Sequence, residues 1–146
     1  GANGIDGTVS TAFGVCAASS GPVVLLIGDV ALAHDVGGLL AASRLGLRLV
    51  IVLLDNDGGG IFHFLPAASQ GDAFVEHIAT PHGLDFSHAA ALYGCDWERA
   101  ASVDAFRAAL SRALVADRTT IICVRTDRES NVDLHARVWE SVRSAT

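Results

Sequence analysis

The sequence contains no lysine, because all ten of its basic residues are arginine. This absence excludes two kinds of chemistry. A pyridoxal enzyme needs a lysine that forms the Schiff base with its cofactor. A Walker A loop needs a lysine that binds the nucleotide phosphates. Any phosphate group bound by this chain must therefore be neutralised by other means.

Methionine is also absent, and the chain opens at Gly1 within a glycine-rich stretch, G-A-N-G-I-D-G. A domain rarely begins in the middle of a motif, so we expect the sequence to be a piece of a longer polypeptide. Simple removal of an initiator methionine is the alternative explanation.

Positive charge and long apolar runs are scarce as well. The net charge of −6 disfavours nucleic acid as a partner, which would call for a basic patch. The longest aliphatic run, Leu49–Leu54, is far too short to cross a bilayer. The three cysteines, Cys16, Cys95 and Cys123, form no C-x-x-C pair, which indicates reduced thiols in a cytoplasmic protein.

Strand-like and helix-like segments alternate along the whole chain. The predicted strands are Val23–Ile27, Leu49–Leu54, Cys95–Glu98 and Thr119–Val124. The predicted helices cover residues 8–19, 34–44, 87–93 and 102–115 and the stretch from 129 onward, with a turn at Gly28–Ala33. This order predicts an α/β fold, a doubly wound parallel sheet with helices on both faces. No linker is visible, so we expect one domain over residues 1–146, truncated at its amino terminus.

Oxygen-bearing residues end two neighbouring strands of this predicted sheet. Gly28-Asp29 closes the first strand, and the stretch Asp55–Gly60 closes the second. The carboxyl ends of parallel strands lie side by side and are the usual place for ligands. The carboxylate of Asp29 and the amide oxygen of Asn56 are therefore predicted ligands of Mg²⁺, with the carbonyl of Gly58 as a third.

A helix beginning after Asp29 would offer the backbone amides of Val30 and Ala31 to phosphate oxygens. Other chemistries have less support. The six histidines show no H-x-x-x-H or H-E-x-x-H spacing, which makes a zinc site improbable.

The spacing from Gly28-Asp29 to Asn56 resembles the thiamin-diphosphate motif, which runs from G-D-G to N over about this length. Val30 replaces the second glycine of that motif. Two further stretches, D-N-D-G-G-G-I-F from Asp55 and G-I-D-G-T-V-S-T-A from Gly4, resemble the menaquinone-pathway synthase family often called MenD. Its full name is 2-succinyl-5-enolpyruvyl-6-hydroxy-3-cyclohexene-1-carboxylate synthase. The resemblance is to its carboxyl-terminal domain, which binds the cofactor diphosphate.

The resemblance implies thiamin diphosphate and Mg²⁺ as cofactors and assigns roles to individual residues. The implied metal ligands are Asp29, Asn56 and the Gly58 carbonyl. Ile5 matches the apolar residue that supports the bent form of the cofactor, and Gly28, Val30 and Ala31 lie in its diphosphate turn. The positions implied for the substrate pocket are Ile61, Phe62 and Leu65, for which ordinary core packing is the alternative.

Asp55 departs from the asparagine or serine that is usual in the family at this position. It either adds negative charge near the metal or points to solvent.

The family decarboxylates 2-oxoglutarate and adds the resulting succinyl carbanion to isochorismate. Its activating glutamate lies in a pyrimidine-binding domain of a partner subunit, and this chain does not contain it. The resemblance therefore implies half of a site, in a homodimer or homotetramer, that is silent on its own. Two alternatives stay open: another thiamin-diphosphate 2-oxoacid decarboxylase of the acetolactate-synthase type, and a non-catalytic module that retains the fold.

Overall fold

The computed structural model describes residues 4–145, which form two compact units. We call residues 4–55 and 84–125 the sheet unit, and residues 56–83 and 126–145 the loop–helix unit. The strands are β1 (Val23–Gly28), β2 (Leu49–Asp55), β3 (Asp96–Arg99) and β4 (Thr120–Arg125). The helices are α1 (Thr8–Ala18), α2 (Asp29–His34), α3 (Leu40–Leu45), α4 (Asp72–Phe74), α5 (Phe86–Tyr93), α6 (Val103–Ala113) and α7 (Arg128–Ser144).

All four strands belong to one parallel sheet in the order β1-β2-β4-β3. On one face, side chains of β1, β2 and β4 pack against α1, α2, α3 and α5 around Phe13 and Leu32. On the other face, Val50 and Ile122 pack against Ala109 and Ala113 of α6. The predicted doubly wound α/β fold is therefore confirmed, with each strand within one residue of its predicted bounds.

The outermost strand β1 is covered unequally on its two faces. Ile27 is buried against the helices of the first face. Val24 and Leu26 point to the second face, where both side chains are exposed. Within residues 4–145, the apolar side chains of β1 are therefore covered on only one of the two faces of the strand.

The segment after β1 differs from the sequence-based expectation. Gly28–Ala33 was expected to form a turn, but α2 begins at Asp29 directly after extended Gly28. The expected helix over residues 34–44 is divided into a 3-10 turn, Val36–Leu39, and the short α3. Asp35 does not cap a helix with its side chain, because that carboxylate accepts hydrogen bonds from the N–H and Oγ of Ser10 (2.7 and 3.0 Å).

The strand register fixes which residues share the carboxyl-terminal edge of the sheet. Gly28 of β1 pairs with Leu54 of β2, so Asp29 and Asp55 follow at the same level. Asp55 in turn pairs with Arg125 of β4. This edge therefore combines two acidic residues with one arginine.

The loop–helix unit consists of short helical segments and α7. The stretch expected to be irregular, Ile61–Gly83, contains 3-10 turns at Gly60–Phe64 and Pro66–Gln70, the short α4, and a π-helical turn at Val75–Ala79. Phe64 packs edge-on against His135 of α7, with ring centres 5.3 Å apart. None of the helices within residues 4–145 is both long and apolar enough to cross a membrane.

Candidate metal and diphosphate site

Asp29 lies at the point where β1 passes directly into α2. Its side chain is only 2% exposed. One carboxylate oxygen, Oδ1, accepts a hydrogen bond from the N–H of Val30 at 2.8 Å. A carboxylate is almost never buried to this degree unless it is paired or coordinates a metal. Asp29, which the sequence predicts as a metal ligand at this strand end, thus carries a carboxylate that is shielded from solvent.

Asp55, at the end of β2, is a second buried carboxylate and is 4% exposed. Of the two alternatives for Asp55, the one in which its side chain points to solvent is wrong. Its Oδ2 accepts a hydrogen bond from Nη1 of Arg125 at 2.9 Å. An oxygen of Asp55 and an oxygen of Asp29 lie within 4.8 Å of one another. Two carboxylates at this separation repel, and a divalent cation relieves that repulsion, so this donor set fits Mg²⁺.

The cysteine beside this edge is not a nucleophile. Burial raises the pKa of the Cys123 thiol, and the negative charge of Asp55 raises it further. Its Sγ lies 4.0 Å from Oδ2 of Asp55. Burial also raises the pKa of Cys95 to about 11. Both side chains therefore stay protonated at neutral pH, as expected for inert buried thiols.

In the loop–helix unit, Asp57 fixes the loop that carries Asn56 and Gly58. Its Oδ1 accepts hydrogen bonds from the N–H groups of His82 (3.1 Å) and Gly83 (2.7 Å). Its carbonyl accepts a hydrogen bond from Nη1 of Arg128 at 3.0 Å. The backbone hydrogen bond from Gly83 lowers the pKa of Asp57, and the charges of His82 and Arg128 add to this, whereas burial opposes it.

The glycines of this loop are required by close approaches. Gly58 has a φ of 130°, and a Cβ at this position would lie 2.3 Å from the carbonyl oxygen of Ala79. The N–H of Gly59 donates to that same oxygen at 2.7 Å. A Cβ on Gly60 would lie 2.5 Å from Nδ2 of Asn56, so the amide side chain of Asn56 rests directly on Gly60. The loop therefore positions both Asn56 and the Gly58 carbonyl.

The residues predicted to touch cofactor or substrate are distributed over both units. The sheet unit carries Ile5, Gly28, Asp29, Val30 and Ala31, of which the last four are consecutive, from the end of β1 into the first residues of α2. The loop–helix unit carries Asn56, Gly58, Ile61, Phe62 and Leu65. The apolar members Ile5, Ile61, Phe62 and Leu65 are all exposed, with Ile61 at 74%. Ordinary core packing therefore does not account for them in this structure.

Sequence reasoning missed Arg125 and Arg128. A signal for Arg125 was present, because it directly follows the fourth predicted strand as Asp55 follows the second. In a parallel sheet these two strand ends are neighbours. No comparable signal identifies Arg128, because its partner Asp57 lies 71 positions earlier in the chain.

We expect Gly58→Ala to destabilise the fold by about 2 kcal/mol or more, since it combines a backbone clash with a φ that alanine rarely adopts. The matched control is Gly14→Ala in the middle of α1, where no atom lies within 4 Å of the added Cβ. That change should be neutral or stabilising by up to about 1 kcal/mol. Thermal unfolding of both variants measures the difference, and equal melting temperatures would contradict the steric argument.

Asp57→Asn should destabilise the protein at pH 7, and its difference from wild type should shrink below about pH 4. The reason is that the pKa of Asp57 is lowered in the folded state. Its stabilisation is fully present above the unfolded-state pKa and is lost as the pH falls through the folded-state pKa. Thermal unfolding between pH 7 and 3 tests this, with exposed Asp133→Asn on α7 as control. A difference that is constant across this range would refute the assignment.

Comparison with known proteins identifies the family. The family model described as "Thiamine pyrophosphate enzyme, C-terminal TPP binding domain" matches residues 4–124. A 2-succinyl-5-enolpyruvyl-6-hydroxy-3-cyclohexene-1-carboxylate synthase of Bacillus velezensis is 50% identical over 92% of this chain and 23% of its own length. A synthase of the same name from Salinibacter ruber is 48% identical over 99% of this chain and 24% of its own length. The chain thus spans about a quarter of these curated relatives.

Solved structures agree with this assignment. The thiamine diphosphate-dependent 4-hydroxybenzoylformate decarboxylase of Rhodococcus jostii superposes with a TM-score of 0.70 at 31% identity, over 80% of this chain and 22% of that one. A benzoylformate decarboxylase from Polynucleobacter necessarius gives a TM-score of 0.68 over 83% of this chain and 23% of that one. At 24% identity the second likeness supports the fold alone. The resemblance seen in the sequence is confirmed, and the chain belongs to the family of C-terminal TPP-binding domains of thiamine pyrophosphate enzymes.

Proposed function

We propose that this chain is the diphosphate- and Mg²⁺-binding domain of a synthase of menaquinone biosynthesis. The enzyme would decarboxylate 2-oxoglutarate and add the succinyl unit to isochorismate. The observation that carries the proposal is the identity of 48–50% to synthases of that name over nearly the whole chain. We take residues 1–146 as one cofactor-binding domain, although the relatives are about four times longer.

The proposed metal ligands are the carboxylate of Asp29, the amide oxygen of Asn56 and the carbonyl oxygen of Gly58. The burial of Asp29 supports its role, and the fixed loop around Gly58 supports the other two. Asn56 directly follows the last residue of β2, and β2 pairs in parallel with β1, which leads into Asp29. Because the chain has no lysine, the metal would carry the positive charge that a diphosphate requires.

The turn Gly28–Ala31 would bind the diphosphate through its backbone, with the amides of Val30 and Ala31 as donors. When bound, thiamin diphosphate would supply a nucleophilic ring carbon and an electron-accepting ring for the decarboxylation of a 2-oxo acid. Ile5 would support the bent form of the cofactor. The exposed side chains of Ile61, Phe62 and Leu65 would line the substrate pocket.

No residue of this chain is assigned the role of the activating glutamate. We propose that a pyrimidine-binding domain of a partner subunit supplies it, in a homodimer or homotetramer. A cytoplasmic location is part of the proposal, supported by the unpaired thiols of Cys16, Cys95 and Cys123.

A second candidate function is that of another thiamin-diphosphate 2-oxoacid decarboxylase. The structural likeness to the 4-hydroxybenzoylformate decarboxylase at 31% identity favours this alternative over a non-catalytic module. The two enzyme functions share the same metal and diphosphate site and differ in the substrate accepted.

Asp29→Ala in the full-length polypeptide should weaken Mg²⁺-dependent binding of thiamin diphosphate by at least about a hundredfold, because it removes a charged metal ligand. Isothermal titration measures the affinity. The matched control is Asp104→Ala, which also removes a carboxylate from the first turn of a helix, but an exposed one. Unchanged cofactor binding in Asp29→Ala would overturn the proposed site, and a wild-type protein that never binds the cofactor would favour the non-catalytic module.

The full-length polypeptide should release CO₂ from 2-oxoglutarate and consume isochorismate, and it should be at least about tenfold slower with pyruvate alone. The 146-residue chain alone should give no turnover, since it lacks the activating glutamate. Faster reaction with pyruvate would favour the second candidate. Appreciable turnover by the isolated chain would contradict the shared-site proposal.

A further inference from the structure

One buried ion pair at the edge of the sheet has no role in the proposed chemistry. Asp55 and Arg125 end neighbouring strands and are joined by a hydrogen bond of 2.9 Å. Asp55 is almost fully buried, whereas the side chain of Arg125 is 54% exposed. The carboxylate of Asp55 also lies within 4.8 Å of the carboxylate of Asp29. Asp55 therefore lies close to both the proposed metal ligand and a guanidinium.

Two buried carboxylates and a half-exposed guanidinium meet at this edge. Asp29 and Asp55 are 2% and 4% exposed, whereas the side chain of Arg125 is 54% exposed. Asp55 also lines a cavity of about 330 Å³, together with Asp85, Arg99 and Arg125. Asp55 thus has both an arginine and the Asp29 carboxylate as near neighbours.

A charge so close to a metal ligand changes metal affinity without coordinating the ion. The interaction of a divalent cation with a unit charge about 5 Å away remains large at the effective dielectric constant of a partly buried site. The guanidinium of Arg125 acts in the opposite direction, because its positive charge repels the cation. The two members of the pair therefore have opposite electrostatic effects on the same site.

We propose that Asp55 raises the affinity of the Asp29 site for Mg²⁺ through its negative charge, and that the positive charge of Arg125 limits this effect. The inference rests on the proposed function, because it takes Asp29 as the metal ligand.

The test is the Mg²⁺ concentration that half-saturates binding of thiamin diphosphate to the full-length polypeptide, followed by titration with MgCl₂ at a fixed cofactor concentration. Asp55→Asn should raise this concentration by about tenfold, because it keeps the shape and removes the charge. Arg125→Gln should leave it unchanged or lower it. Arg125→Lys, which keeps the positive charge, should stay within about twofold of wild type.

The control pair is Glu98→Gln and Arg112→Gln, which breaks another ion pair of the sheet unit. Both control variants should bind Mg²⁺ as wild type does. If Asp55→Asn and Arg125→Gln both weaken Mg²⁺ binding, the pair is merely structural and the inference is overturned. The inference is also overturned if Asp55→Asn leaves the half-saturating Mg²⁺ concentration unchanged. If Asp55→Asn does not fold, the Arg125→Gln variant decides the test. Weaker Mg²⁺ binding in that variant overturns the inference, and equal or tighter Mg²⁺ binding supports it.

Failure of the proposed metal and cofactor site, on which the inference rests, gives a different result. In that case the wild-type protein itself shows no Mg²⁺-dependent cofactor binding. If wild type shows that dependence and the variants do not differ from it, the metal site stands and only the role of Asp55 is rejected.

Discussion

The parallel pairing of β1 with β2 is the constraint on which the site depends. Its register sets Gly28 opposite Leu54, so the next residue of each strand is an aspartate at the same edge. A shift of one residue would turn every side chain of a strand to the opposite face of the sheet. The aliphatic side chains of both strands prevent this shift, because Ile27, Ile51 and Leu53 would leave the larger cluster on the first face. Core packing thus sets the position of the carboxylate that is proposed to bind the metal.

The second part of the site depends on backbone shape. The loop after β2 follows a path that only glycine permits at residue 58, and this path is held by hydrogen bonds from residues more than twenty positions away. Side-chain chemistry on this loop is sparse. Asp57 binds backbone N–H groups, and the ligands proposed on this loop are an amide oxygen and a carbonyl oxygen.

Much of this arrangement follows from local sequence. The four strands were predictable, since aliphatic runs such as Leu49–Leu54 are typical of strands buried on both faces. The start of α2 was not predictable, because Gly28-Asp29 is typical of a turn. In the structure, the helical conformation of the residues from Val30 onward begins already at Asp29. The donors to Asp57 lie 25 and 26 positions downstream, and spacing alone gives no sign of them. The burial of Asp55 was also not predictable from the local sequence, since it depends on the partner strand β4.

The uneven covering of β1 has a practical consequence for work with the 146-residue chain. This strand is outermost in the sheet, since no strand within residues 4–145 pairs with its outer side, and it exposes Val24 and Leu26 together. An exposed edge strand with apolar side chains is a template on which further chains can add. Expressed by itself, the polypeptide would tend to aggregate, and a charged residue introduced at Leu26 would be a rational way to improve its solubility.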